Sequence, residues 1–247
     1  MRFEFLTVER SGAAGGAVPV ALSPLARLQE VAGARLEVRD GWRTAAGFGS
    51  PDAELEACRS RVGIADRSSL GKLELQAPAA ELSSIAAELA DGAELSGVRA
   101  THAGGAWWCS PSPQRTLVLT PAGEAAEMRD RLEAAAAGRF ASVVDLSAGL
   151  AALSVIGPSA RELLARLTAL DLRQARMPER GFRPGSVARV PAMVLREHGE
   201  HFLVLFGSYH AHYMWTAVTD AGLPLRAALV GADALDELGA GERATAR

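Results

Sequence analysis

The sequence predicts an α+β fold made of two pseudo-repeated ferredoxin-like (βαββαβ) modules, and three observations predict it. The first is an internal echo. Asp66-Arg67-Ser68, followed by Leu73-Glu74-Leu75-Gln76-Ala77-Pro78, repeats the pattern of Asp145-Leu146-Ser147, followed by Leu153-Ser154-Val155-Ile156-Gly157-Pro158. Asp145 lies 79 positions after Asp66, and Pro158 lies 80 after Pro78, so one supersecondary unit occurs twice. The second is that the apolar period switches between two and 3.6 residues in the same order in each copy. The third is that proline and glycine stand at the joints. The predicted division is 1–145, an N-terminal extension plus the first module, and 146–247, the second module and a C-terminal tail. Each split β-α-β unit puts its helices on one face of an antiparallel sheet. Two such modules can pack together and leave a cleft near the pseudo-twofold axis.

In chain order, Phe3, Phe5 and Thr7 alternate as a short strand, and Ser11–Gly16 is a flexible joint. Ser23 caps a helix with Pro24 at its first position and Leu25, Leu28 and Val31 on one face; Gly33 ends it. Arg35–Gly41 leads to Trp42 and the loop Phe48-Gly49-Ser50-Pro51. Asp52–Arg61 is a second helix that buries Leu55 and Cys58. In the first module Lys72–Gln76 is a half-buried strand, and Pro78 opens a helix carrying Leu82, Ile85, Ala86 and Leu89. Ala106–Cys109 is a strand, Ser110-Pro111-Ser112-Pro113 a turn, and Arg115–Thr120 a strand. A helix then runs from Pro121 to about Ala137, where Gly138 stops it, and Val143–Asp145 closes the module. In the second, Ala152–Ile156 is a strand and Pro158–Leu170 a helix. Strands Val187–Leu195 and Phe202–Phe206 are joined by a turn over Glu197–His201. Ser208 caps a helix that Gly222 closes, and Arg226–Val230 is the last strand.

Composition bounds the function. A chain of 247 residues that is 49% hydrophobic and 22% charged buries one large core or two smaller ones. A net charge of −3 with no basic run argues against nucleic acid as a partner. Lysine is nearly absent beside arginine, a mark of base composition. The two cysteines, Cys58 and Cys109, form no C-x-x-C pair, so a disulfide framework is not expected and a cytoplasmic location is. No apolar run is long enough for a membrane span, and the first residues lack the pattern of a secretory signal.

Several side chains invite a chemical reading. His198, His201, His210 and His212 lie close in sequence with Glu197 and Glu200 among them, residue types that suit a transition metal. Against this, His198 and His201 fall in a hairpin turn, where solvated polar residues belong, and His210 and His212 are two apart on a helix and share no face. Exposed turn residues are the preferred reading, and no metal site is assigned. Ser68 and Ser147 follow strands in equivalent places, which favours turn capping over nucleophilic chemistry. Cys58 reads as core filling. Trp107 and Trp108 point to opposite faces of one strand: either one is core and the other is available to stack on a flat heteroaromatic ligand, or both are packing residues.

The chain resembles the aminomethyltransferase (glycine cleavage T protein) folate-binding superfamily, which includes the gamma subunit of heterotetrameric sarcosine oxidase. Ser23-Pro24-Leu25, Gly33-Ala34-Arg35, Gly41-Trp42 and Ser50-Pro51 are similar to the family's opening segment. Arg61-Val62-Gly63-Ile64-Ala65-Asp66-Arg67-Ser68-Ser69-Leu70-Gly71-Lys72 resembles its R-x-x-V-G-L-x-D-x-S-x-x-G-K signature. Leu153–Leu172 resembles its L-x-G-P-x-A-x-x-L-L-x-x-L segment, and Val230–Leu235 its closing helix. The family's C-terminal β-barrel domain has no counterpart before Arg247, as in the shorter gamma-type members.

The resemblance implies a tetrahydrofolate cleft between the modules. It implies an acidic residue in the hairpin Glu197–Phe202 that accepts N–H bonds from the pterin, with Glu200 the candidate and Glu197 the alternative. Leu70 would be an apolar wall and Trp108 would lie against the ring. Trp108 and Cys109, after Gly104-Gly105, occupy the places of the catalytic transferases' aspartate pair, which makes Cys109 the candidate catalytic position. A tryptophan cannot steer a proton as a carboxylate does. The acid usual after the hairpin aromatic is replaced by Leu203, and the arginine of the tail motif is missing near Ala232 and Asp233. Two functions follow from the resemblance. One is a folate-binding protein that assists one-carbon transfer from an amine-derived donor to tetrahydrofolate. The other is a non-catalytic gamma-like subunit partnered with the flavoprotein of an amine oxidase assembly.

Overall fold

The computed structural model describes residues 19–92 and 94–245, with side chains to residue 239. The strand expected at Phe3–Thr7 and the joint at Ser11–Gly16 lie outside these residues. The described chain opens with β1 (Ala21–Leu22), α1 (Ala26–Val31), β2 (Arg35–Arg39) and β3 (Trp42–Gly47), and β1 and β2 flank β3. Next comes α2 (Pro51–Ser60). It has Pro51 in its first turn, Asp52 and Glu54 at its positive end, and Leu55, Ala57 and Cys58 buried. The chain continues with β4 (Gly63–Asp66), β5 (Gly71–Gln76), α3 (Ala79–Leu89), β6 (Thr101–Ala103), β7 (Ala106–Ser112) and β8 (Arg115–Thr120). It then forms α4 (Ala125–Ala136), β9 (Ser142–Asp145), β10 (Leu150–Ile156), α5 (Ala160–Ala165) and β11 (Phe182–Val187). The last elements are β12 (Val190–His198), β13 (His201–Gly207), α6 (Ala211–Gly222), β14 (Ala228–Val230) and α7 (Ala232–Thr245).

Two sheets organise these elements. One runs β6-β7-β8-β5-β9 and the other β11-β12-β13-β10-β4-β14. Strand alternation sorts each strand's side chains onto two faces. Leu73, Leu75, Trp108 and Val118 meet Leu82 and Ile85 of α3 and Met128 and Leu132 of α4. Val155, Val194, Phe202, Val204 and Phe206 meet Leu163 and Leu164 of α5 and Met214, Trp215 and Val218 of α6. The opposite faces meet each other: Cys109, Leu117 and Leu119 from the first sheet pack on Leu195, Leu203 and Leu205 from the second. The layers are therefore helix, sheet, sheet, helix, a mixed α/β architecture with ferredoxin-like sheets.

The sheets do not divide at residue 145. β4, expected with the first half, pairs with β10 of the second sheet, Asp66 opposite Leu153. β9 closes the first sheet on β5, Asp145 opposite Leu73. Two turns carry the chain between sheets, and they make matching bonds. Asp66 Oδ1 accepts from Ser68 N–H and Asp145 Oδ1 from Ser147 N–H, both at 2.8 Å. Ser68 Oγ accepts from Ala152 N–H at 3.1 Å, and Ser147 Oγ from Lys72 N–H at 3.0 Å. The two serines bond backbone across the sheets, a turn-capping role. Lys72, the chain's only lysine, is fully buried and donates to Ser68 O at 2.8 Å and Leu70 O at 2.5 Å. Burial lowers its pKa to about 8.

Other elements differ from expectation in ways local pattern does not show. β2 and β3 form a hairpin around Asp40-Gly41. β7 continues through Ser112, so the expected turn shrinks to its last residues, and β6 adds an edge. The helix expected over Pro158–Leu170 is only Ala160–Ala165. Its continuation is captured by β11: Thr168 Oγ donates to Ser186 O at 2.6 Å, and Ala188 N–H donates to Leu167 O at 2.7 Å. No described helix is long and apolar enough to cross a membrane.

Candidate functional site

A cleft of about 770 Å³ opens at the edge where the two sheets meet. Its walls come from the β2–β3 hairpin (Arg39, Asp40, Thr44), the β4–β5 turn (Asp66, Arg67, Ser69), Trp107 of β7, the β12–β13 hairpin (Glu197, His198, His201) and α7 (Ala232, Leu235, Asp236). The volume falls in the range of small-molecule sites. Arg39 ties α7 to β2 through ion pairs with Asp233 and, at 3.3 Å, Asp236.

The turn wall is built from its own bonds. Asp66 Oδ2 accepts from Ser23 Oγ and, at 2.6 Å, from Gln29 Nε2, so this carboxylate is committed to joining the entry segment to the turn. Arg67 is aimed inward: its Nη1 lies 3.9 Å from Glu197 Oε2 and 3.5 Å from Ser154 Oγ.

The hairpin wall follows from register. His198 pairs with His201 and Arg196 with Phe202, so Glu197 is an extra residue with no partner of its own. Such a bulge re-aims a side chain. By alternation Glu197 and His201 share the inward face with Leu195 and Leu203. Glu197 is 8% exposed, and its Oε2 accepts no hydrogen bond. His201 is also 8% exposed, its Nε2 unbonded and 3.5 Å from Glu197 Oε2. The expectation that His198 and His201 are solvated turn residues is overturned for His201, because β12 and β13 run up to the tip and carry it inside, while His198 is half-buried at the cleft. Among the described residues no group of three or more histidine, cysteine or acidic side chains converges as a metal set.

The four site residues singled out in the sequence do not come together. Glu200 sits on the hairpin's other side. Its carboxylate accepts from Arg161 Nη2 at 2.5 Å and Nε at 3.1 Å, with Arg196 Nη2 at 3.6 Å, while Arg161 also bonds Leu172 O. It clamps the hairpin tip to α5 and does not face the cleft. Trp108 is 1% exposed among α3 and α4 side chains, its Nε1 donating to Ala103 O at 3.2 Å. The cleft tryptophan is Trp107, which stacks obliquely on His102 with ring centroids 4.6 Å apart. Cys109 shares Trp107's face but is wholly buried between the sheets, and burial pushes its thiol far above the ordinary range. It can neither meet a ligand nor carry a proton there. Leu70 packs half-buried on the inter-sheet core, while Ser69 beside it lines the cleft. Cys58 is core filling, its pKa raised to about 11 by burial. Strand parity in β7 was the available signal for Trp107. Nothing local marked the bulge that selects Glu197.

Two expected results follow from this geometry. Glu200→Ala leaves Arg161 and the buried Arg196 without their acid, so it should lower stability by about 1–2 kcal/mol. Chemical unfolding reads this, and an unchanged midpoint would count against the clamp. Burial lowers the pKa of His201 to about 4, with Glu197 acting the other way. The unfolded chain then binds a proton near pH 6.5 that the folded chain refuses until about pH 4. Stability is full above that window and is lost as pH falls through it, on the order of 2 kcal/mol. A urea midpoint that drops no more in the parent than in His201→Phe between about pH 7 and about pH 4.5 would contradict this.

Comparison with known proteins adds the following. Residues 108–242 match the family model described as the GCVT N-terminal domain. The aminomethyltransferase of Streptomyces coelicolor is 31% identical over 201 residues, covering 74% of this chain and 52% of the relative. That of Saccharopolyspora erythraea is 29% identical over 216 residues, covering 81% and 58%. The chain thus spans about half the length of the curated relatives it matches. Among solved structures, the glycine cleavage system aminomethyltransferase T from Bartonella henselae superposes with a TM-score of 0.74 at 18% identity, over 87% of this chain and 60% of that one. A chain of the heterotetrameric sarcosine oxidase from Corynebacterium sp. U-96, in complex with pyrrole 2-carboxylate, superposes with a TM-score of 0.63 at 19% identity, over 83% and 96%. At these identities the structural likeness concerns fold.

Proposed function

Because the chain belongs to the GCVT N-terminal domain family, we propose that its cleft binds tetrahydrofolate and that the protein assists one-carbon transfer from an amine-derived donor to it. The observation that carries this reading is the Glu197 carboxylate: buried, beside an aromatic wall, and with an Oε2 that accepts no close hydrogen bond from the described residues. A buried acid short of hydrogen bonds is costly unless a ligand supplies donors. The aminopyrimidine edge of a pterin presents two N–H groups to one carboxylate, and its flat ring suits Trp107. The residues present therefore fit the group. Glu197 would hold the pterin edge, Trp107 its face, and Arg67 would balance the acid's charge. When bound, the reduced folate supplies the nitrogen atoms that take up the carbon. The matched Asp-x-Ser turns support the finer reading of the fold as two copies of one unit that exchange a strand.

Trp108 and Cys109 stand at the places of the transferases' aspartate pair, and both are buried away from the cleft. That favours a second reading, a supporting subunit of a flavin-dependent amine oxidase assembly, also suggested by the extent of overlap with a sarcosine oxidase chain. Calorimetric titration of the purified chain with tetrahydrofolate separates the two. Saturable heat at micromolar ligand is expected, and none at high micromolar ligand with a folded chain would sink the folate reading. Copurification with a larger flavoprotein from the native host is expected of the subunit reading, and a chain that emerges alone would count against it.

A further inference from the structure

Glu197 and His201 each bury a polar atom that bonds to nothing in the described chain, and the two atoms face each other at 3.5 Å. The other ring nitrogen of His201, Nδ1, lies 3.2 Å from Nε2 of His198, with the rings edge-on at 87°. These histidines are a directly opposed pair across β12 and β13, so the hairpin itself sets their spacing. A neutral imidazole carries one N–H. With that proton on Nδ1 of His201, the lone pair of Nε2 would face the carboxylate, acceptor against acceptor in a buried place. With it on Nε2, His201 donates to Glu197 and its Nδ1 accepts from the Nε2–H of His198. Both orphaned atoms are then satisfied by a movement of about 0.5 Å.

We propose that His201, held in its Nε2–H tautomer by His198, is a positioning residue for Glu197: it keeps the acid turned so that its remaining lone pairs meet the N–H donors of a ligand. The ligand named rests on the folate reading; the contact belongs to the chain alone. The arrangement has the logic of a carboxylate oriented by an imidazole whose tautomer a third group fixes. The other charged or titratable groups around it are Arg67 from the β4–β5 turn, 3.9 Å from the same oxygen, and His102 and Cys109 from the first sheet, both of which feel the Glu197 charge. Burial keeps His201 neutral well below its ordinary range, consistent with a single shared proton on each contact.

Two-bond proton–nitrogen spectra of the imidazoles in the ligand-free chain read the tautomer directly. His201 and His198 should both carry the proton on Nε2, and a His201 protonated on Nδ1 alone overturns the proposal. For binding, the dissociation constant of 5-formyltetrahydrofolate is measured from about pH 5.5 to about pH 8. His201→Phe should weaken it about tenfold, while His201→Gln, whose amide N–H reaches the Nε2 place, should restore affinity. Equal affinity in the parent and His201→Phe would overturn the role. If the parent binds no folate while the tautomer result holds, the folate reading falls and the positioning of Glu197 stands. The measurements on the parent and on His201→Gln decide the matter should His201→Phe fail to fold.

Discussion

Glu197→Ala is expected to weaken tetrahydrofolate binding about a hundredfold or more without unfolding the chain. Two charge-assisted bonds to a buried carboxylate contribute about 1.5–3 kcal/mol each, which sets that magnitude. The cost to stability is confined to the His201 contact, because among the described residues Glu197 Oε2 has no other close donor and its nearest cation, Arg67, is 3.9 Å away. The variant should therefore melt within about 5 °C of the parent while its calorimetric isotherm flattens. Glu200→Ala should behave in the opposite way, less stable and unchanged in affinity, because that acid is held by Arg161 outside the cleft. A Glu197→Ala chain that binds within threefold of the parent would remove Glu197 from the site.

Gly157→Ala is expected to damage the scaffold severely. Gly157 has φ of +119°, and an added Cβ would stand 2.5 Å from Cys58 O and 2.7 Å from Arg61 O. These are backbone carbonyls at the end of α2, and Arg61 O already accepts the Ser159 N–H at 2.9 Å. Gly157 N–H donates to Glu200 O at 3.0 Å. The end of α2, the start of α5 and the hairpin tip thus converge where no side chain fits. Strain at positive φ and overpacking against backbone add to about 3 kcal/mol or more. In a domain of this size that lowers Tm by about 10 °C. A melting temperature within about 2 °C of the parent would show that the neighbouring carbonyls yield.

Much of the architecture was legible because it is local. Leu82, Ile85 and Ala86 on α3 and the paired leucines of β5 announce their buried faces by period alone. The Asp66-Arg67-Ser68 echo of Asp145-Leu146-Ser147 marked two turns that prove to make matching bonds, although the exchange of β4 and β9 between sheets was not visible in it. The early end of α5 was hidden because Thr168 and Leu167 answer to Ser186 and Ala188, residues that no local window includes.

The site divides along the same line. By itself the sequence determined most of the element types, the two Asp-x-Ser turns, the acids and histidines available in the β12–β13 hairpin, and that at least one tryptophan of Trp107-Trp108 would be core. Only the tertiary structure decided that Trp107 faces the cleft, that Cys109 is sealed between sheets, and that Glu197 rather than Glu200 points inward. The physical reason is that a strand's two faces are equivalent until another layer covers one of them. A single extra residue at the bulge then settles which acid is turned toward the cleft and which toward Arg161.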